Sequence, residues 1–225
     1  VALMCSIPLY AEGTNEKLLQ EELASQGDER LPRSILFFRY LHTLGGELDL
    51  RRYEVVDEYL AQAPASLLGF PMQQSTRYVR SDTLKLFPAQ AEGQAGIPRG
   101  EQIDYFSFAY MEDVEAHIEL LAGNLPSRHP DPDGVVEVLV TEDTAREYAF
   151  KVGESFVTVA EEDIQIPVRI VGIWQAKDPE EMYWFYAPRS FNGAFVVSRE
   201  TYFGTLVPRL PEALNNCVWH LLFNP

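Results

Sequence analysis

Apolar positions along this chain change period several times, and each change marks an element. From Val168 to Trp174 the run is β-branched and aromatic, and from Ile170 to Trp174 both side-chain parities are hydrophobic, the pattern of a strand buried on two faces. Asp178-Pro179 stops it, because proline cannot donate a ladder hydrogen bond and Asp before Pro favours a turn. The aromatic group Tyr183, Trp184, Phe185 and Tyr186 is thereby carried off the strand end on a loop. Strands are also expected at Ile35–Leu41, at Ser75–Phe87 and at Ile103–Tyr110; Arg77 and Arg80 lie on opposite parities, so the second of these should be partly exposed on both faces. Helical spacing predicts a short amphipathic helix over Asn15–Ser25, with Leu18, Leu19 and Leu23 on its apolar face. A second helix runs from about Leu50 to Gln62, with the four-apart pairs Val55/Tyr59 and Val56/Leu60, and ends before Pro64. A third covers Glu112–Ala122, with Val114, Ile118 and Leu121 on one face and Gly123 as its stop.

The order strand, helix, strand, strand, helix is most of a split βαβ unit and lacks a final strand. Val135–Val140, next in the chain, and Cys217–Phe223, much later, are the two runs able to supply it. Local order favours the first. Between them lie a helix over Glu142–Phe150 capped by Thr141 and strands at Ser155–Ala160 and Ala194–Ser198.

Composition narrows the function classes. With 225 residues, 46% of them hydrophobic, the chain can bury the core of one large domain or two small ones. A net charge of -16 leaves no excess of Lys or Arg to neutralise phosphates, which argues against nucleic acid as a partner. Only Cys5 and Cys217 are present, so neither a disulfide framework nor a tetrathiolate metal site is expected. The apolar opening Val1–Tyr10 is shorter than the roughly 20 residues a spanning helix needs. It reads as the end of a membrane helix with Tyr10 at the interface, as a buried segment, or as the tail of a signal peptide.

Candidate chemistry is thin. The segment His129-Pro-Asp131-Pro-Asp133-Gly134 has oxygen ligands two apart like a calcium loop, but its twelfth position is Val140, which offers no carboxylate; a turn is the better reading. Gly153-Glu154-Ser155 lacks the second glycine of a nucleophile elbow, and no Gly-Lys-Ser/Thr phosphate loop is present. No catalytic residue, metal ligand or cofactor is therefore expected. The carboxylate pairs Glu112/Asp113, Glu161/Glu162 and Glu180/Glu181 offer acid-base hydrolysis of glycans as one reading, with helix-dipole contacts and solvated loops as the simpler one. The aromatic group Trp174, Tyr183, Trp184, Phe185 and Tyr186 reads either as an interaction surface or as a satellite core, and core is favoured for Trp174 and Trp184.

Several segments in order carry a resemblance. Ile7-Pro-Leu-Tyr-Ala-Glu12 is similar to a permease's first membrane-helix exit; Leu121-Ala-Gly-Asn-Leu-Pro126, Val136-Glu-Val-Leu-Val140, Ala145 and Lys151-Val-Gly-Glu154 follow, and then the Val-Gly-Ile strand with Asp178-Pro179 and Tyr183-Trp184. The series resembles the extracytoplasmic domain of FtsX/MacB-like ABC transporter permeases; Asn124 stands where Arg is usual in that family and Glu154 where Asp is usual. The resemblance implies an α+β fold: a split βαβ, porter-like mixed-sheet layer with an inserted smaller, mostly-β subdomain, as in MacB-like periplasmic core domains. On that division, residues 1–13 end a transmembrane helix, 14–33 form a stalk helix and linker, 34–123 plus 209–225 form the layer, and 124–208 form the insertion. Cys217–Phe223 then completes the first layer. The implied role is non-catalytic: a domain outside the cell membrane that passes ATP-driven helix movement to a substrate or protein partner. Its implied partners are a separate ABC ATPase subunit, a second permease copy or paralogue, and the membrane through the N-terminal segment. Leu18, Leu19 and Leu23 would couple the stalk to the outer domain. The alternative is an extracellular glycan-binding or hydrolase module.

Overall fold

A computed structural model of the chain describes residues 17, 35–42, 50–89, 101–160, 164–211, 213 and 215–224. In chain order these form β1 (Ile35–His42), α1 (Leu50–Leu68), β2 (Met72–Pro88), β3 (Asp104–Met111), α2 (Val114–His117), β4 (Ile118–Gly123), β5 (Val136–Thr141), α3 (Glu142–Tyr148), β6 (Ser155–Val159), β7 (Gln165–Ala176), β8 (Ala194–Val196), α4 (Arg199–Thr201), α5 (Val207–Arg209) and β9 (Asn215–Phe223), with a π-helical turn Tyr202–Leu206 joining α4 to α5. The fold is α+β, a mixed sheet with few helices: β3/β8 and β5/β7 pair in parallel and the other pairs are antiparallel.

β2 organises the sheet. Its 17 residues pair with β3 on one side, while on the other side Met72 to Ser81 pair with β9 and Lys85 to Pro88 pair with β6. Since β6 also pairs with β7, the strands β2, β3, β8, β5, β7 and β6 close into a ring, with β9 and then β1 attached along the first half of β2. Inward-facing Leu84, Leu86, Phe106, Phe108, Val138, Ile170 and Phe195 fill that ring, as closure of a small barrel requires. One apolar cluster continues from this interior to Tyr53, Trp219 and Tyr202, so α1 and the segment 199–209 pack on the same continuous core.

Three expectations change. Helix α1 does not stop at Pro64 but runs on to Leu68, and its buried residues are Tyr53, Leu60 and Pro64. The inward stripe passes through Asp57 at the i+4 position, whereas Val55, Val56 and Tyr59 are exposed; a carboxylate on the buried face had disguised the true phase of the helix. Glu112–Ala122 is not one helix, because a single turn at α2 is followed by β4, which finds a hydrogen-bonding edge on β7. That ladder outweighs the helical spacing of Val114, Ile118 and Leu121. Finally, residues 124–208 do not pair as a separate lobe: β5, β6, β7 and β8 belong to the same sheet as β1, β2, β3 and β9. The length of β2 is the reason, since it reaches from β9 to β6 and stitches the two halves together. Cys217 to Phe223 lie in β9, between β1 and β2.

Candidate functional site

The outer face of the ring carries a second apolar cluster, which includes Tyr78, Ala109, Met111, Leu139 and Val196. A strap, residues 177–193, covers it. Asp178 makes the entry turn, its carboxylate accepting from the Glu180 N–H at 2.9 Å and its carbonyl from the Glu181 N–H at 3.2 Å. The strap leaves by the 3-10 turn Pro188–Phe191.

A bulge delivers Trp174 to this face. β7 carries one extra residue against β5 between Ile170 and Gly172, and an extra residue inverts the facing of all that follow it. Ile166, Val168 and Ile170 belong to the interior cluster and Trp174 to the outer one. The two-parity hydrophobic run from Ile170 to Trp174 has its origin here. The bulge needs room: a Cβ on Gly172 would lie 2.6 Å from the Asn124 carbonyl oxygen and 2.7 Å from Leu139 Cδ2. Opposite it, Gly123 has φ +80° and sits so close that a Cβ would meet the Val171 carbonyl oxygen at 1.9 Å. Gly123 is therefore a point of close strand approach rather than a helix stop.

Of the two readings of the aromatic group, burial agrees with a core for Trp174 and Trp184, and Tyr183 and Phe185 are buried with them. Only Tyr186 of the group, at 42% exposure, reaches solvent. Trp174 and Trp184 stack with ring centroids 5.7 Å apart, Tyr183 meets Trp184 edge-on at 4.9 Å, and Phe191 closes the group. Burial of such a ring is worth about 1.5–3 kcal/mol, and each aromatic pair adds about 0.5–1.5 kcal/mol. These energies hold the strap down. Leu18, Leu19 and Leu23, the expected stalk contacts, lie outside the described residues.

Two histidines pin the strap further. His117 stacks on Tyr183 at 3.6 Å, and its Nδ1 lies 2.9 Å and 3.0 Å from the two carboxylate oxygens of Glu181. His220 of β9 stacks on Phe185 at 3.9 Å. Burial pushes the His220 imidazole down to about 4, so it is neutral in the fold at ordinary pH.

A polar path joins the strap to helix α1. The Trp219 indole donates to Asp57 Oδ1 at 2.8 Å; Asp57 pairs with Arg77, and Arg77 pairs with Glu112. The main-chain oxygen of Glu112 then accepts from the Tyr183 hydroxyl at 2.6 Å. The three charged side chains are about four-fifths buried, at 23% exposure for Arg77 and 21% for each partner. Burial raises the Glu112 carboxyl above its usual range; Arg77 pulls it back, and Asp113 and Asp57 push it up again. Sequence reading missed this path because Asp57, Arg77 and Glu112 are far apart in the chain and singly look like solvated charges. The phase of α1 was the available signal.

Elsewhere the suspected calcium loop is a turn: the Asp131 carboxylate accepts from the Asp133 and Val135 N–H groups at 3.1 Å and 2.9 Å and pairs with Arg169 at 2.6 Å. No helix among the described residues is long and apolar enough to cross a membrane.

No protein-family model and no curated protein matches the chain. Among solved structures, a domain of a presumed permease protein from Porphyromonas gingivalis aligns over 75% of this chain and 61% of its own, with 14% identity and a TM-score of 0.37. The chain thus spans about three fifths of that neighbour's length.

Proposed function

We propose that the chain is the non-catalytic extracytoplasmic domain of an FtsX/MacB-like ABC permease, which carries ATP-driven membrane-helix movement to a substrate or partner outside the membrane. The observation behind this reading is the path of contacts Trp219, Asp57, Arg77, Glu112, Tyr183, which links helix α1, the sheet and the strap. The motif segments support it. Gly123 at the end of β4, Val136 to Val140 in β5 and the Lys151-to-Glu154 turn all meet β7: Gly123 and Val136 in its ladders, and the turn through Gly153 N–H to the Ile170 oxygen at 2.7 Å and Ile170 N–H to the Glu154 oxygen at 3.0 Å. Three of the segments that carry the family resemblance thus meet on one strand, β7.

On this reading residues 1–13 end a membrane helix, 14–33 form the stalk, a separate ABC ATPase supplies the energy, and a second permease copy or paralogue completes the assembly. Leu18, Leu19 and Leu23 fix the stalk to the domain, each leucine contributing about 1.5–3 kcal/mol if fully buried. Replacing all three by Ser in the intact transporter is the test. The expected outcome is transport lost while ATP hydrolysis and membrane expression persist; unchanged transport at normal expression would exclude this route for the force.

A further inference from the structure

A cavity of about 370 Å3 opens on the outer apolar cluster where β3 ends, beside α2, the segment 125–128 and α4. Its apolar lining is Met111, Val114, Leu139 and Val196, all buried members of that cluster. Small-molecule sites are commonly of this kind, about 300–1,000 Å3 with an apolar lining and a few polar groups. The charged groups around it carry both signs. Asp113 borders it at the start of α2, Glu115 from α2 itself, Glu200 from α4 and Arg128 from the segment before β5. None of these four side chains has a hydrogen bond or an ion pair among the described residues. Arg199 also borders the cavity but lies over the Phe203 ring, 5.3 Å from its centre. Asp113 has φ +53°, a left-handed conformation uncommon outside glycine, and its carboxylate makes no cap bond to the helix it precedes. Arg128 is anchored through its carbonyl, which accepts from the Thr201 hydroxyl at 3.1 Å. The Tyr110 hydroxyl on the same wall is pushed up to about 12, first by burial and then by Glu112, while Arg199 pulls it down and Asp113 pushes it up. Both signs therefore act at one point of the wall.

We propose that this cavity binds a zwitterionic amino acid with an apolar side chain, its ammonium at Asp113, its carboxylate at Arg128 and its side chain against Met111, Val114, Leu139 and Val196. A ligand of one sign would meet an unpaired group of its own sign, whereas a zwitterion answers both. The planar fork of Arg matches a carboxylate, and Glu115 and Glu200 add to the attraction for the ammonium. The site is independent of the transport reading above.

The test uses the 225-residue chain with 13C at the methyls of its four methionines, the Met111 signal being assigned by its loss in Met111→Leu or by elimination with the other three replaced. Leucine, glycine, N-acetyl-leucine and leucinamide are titrated at neutral pH and equal ionic strength. A saturable shift of the Met111 methyl is expected with leucine. The acetylated and amidated forms, each lacking one charge, should bind about threefold to tenfold more weakly. Glycine keeps both charges but has no side chain to fill the apolar lining, and should give no saturable shift. Asp113→Asn, which suits the same left-handed backbone, should remove most of the preference for leucine over N-acetyl-leucine and keep that over leucinamide; Arg128→Gln should do the reverse. Absence of a saturable shift with leucine at tens of millimolar, binding of glycine or of either blocked form as tight as that of leucine, or a variant that leaves its own preference unchanged would each overturn the site.

Discussion

The Tyr183 hydroxyl donates to the main-chain oxygen of Glu112 at 2.6 Å, while the side chain of the same Glu112 is paired with Arg77. One residue therefore holds the strap through its backbone and Arg77 of β2 through its carboxylate, Arg77 in turn pairing with Asp57 of α1. Because the two attachments use different atoms, they can be removed separately. Tyr183→Phe should cost about 1 kcal/mol, the usual worth of one neutral hydrogen bond. Glu112→Ala should cost about 1–3 kcal/mol, less than the loss of a fully buried pair because Asp57 still faces Arg77. Because both links meet at Glu112, urea unfolding of both single variants and the double variant should show a coupling of about 0.5 kcal/mol or more; additive effects would mean that the strap bond does not depend on the ion pair.

Trp184 and Tyr186 are two residues apart and should behave oppositely. Trp184→Ala removes a ring stacked on Trp174 and should destabilise by about 3–5 kcal/mol. Tyr186→Ala, at a solvent-facing position, should stay within about 0.5 kcal/mol. Thermal unfolding of the pair checks this, and equal losses would contradict the burial of the strap.

His220 makes stability depend on acidity. Its imidazole sits at about 4 in the fold, because burial disfavours the charged form, against about 6.5 in an unfolded chain. Its stabilising effect is thus complete above about pH 6.5 and is lost as pH falls through 4, by about 3 kcal/mol in all. Glu112 is shifted upward and contributes with the opposite slope, so the informative quantity is the difference between the chain and His220→Phe. Unfolding free energy measured between pH 7 and 4 should fall more steeply in the native chain than in the variant. Parallel curves would show that His220 takes up its proton in the folded state as readily as when unfolded.

Gly172→Ala should be severe. The added methyl would meet a backbone oxygen at 2.6 Å, and backbone cannot step aside as a flexible side chain can. A loss of several kcal/mol is expected, against about 0.5 kcal/mol or less for Gly204→Ala, where nothing lies within 4 Å. Comparable stability of the two variants would show that β7 is not bulged as described.

Strands with continuous β-branched or aromatic runs were legible in the sequence: Ser75 to Phe87 lie in β2, Val168 to Trp174 in β7, and Cys217 to Phe223 in β9. Local periodicity failed where a distant partner decided the outcome. Ile118 to Gly123 became strand because β7 offered an edge, and the stripe of α1 was misphased because the carboxylate on it is answered by Arg77, 20 positions on (77 minus 57). Ring closure was invisible for the same reason, since it depends on β6 pairing with the far end of β2. Of the candidate site, the aromatic residues stood out by composition, yet their burial depends on an apolar sheet face that no local window reveals.

On the proposed function, movement passes along the path from α1 to the strap. Tyr183→Phe in the intact transporter addresses it with the least disturbance, because the variant keeps the ring and its stack on His117 and deletes only the hydroxyl that reaches Glu112. The deciding quantity is substrate moved per ATP hydrolysed, measured in vesicles with matched amounts of native and variant protein. The predicted result is ATP hydrolysis near the native rate with that ratio reduced several-fold. An unchanged ratio would contradict force transmission through Glu112 and Tyr183.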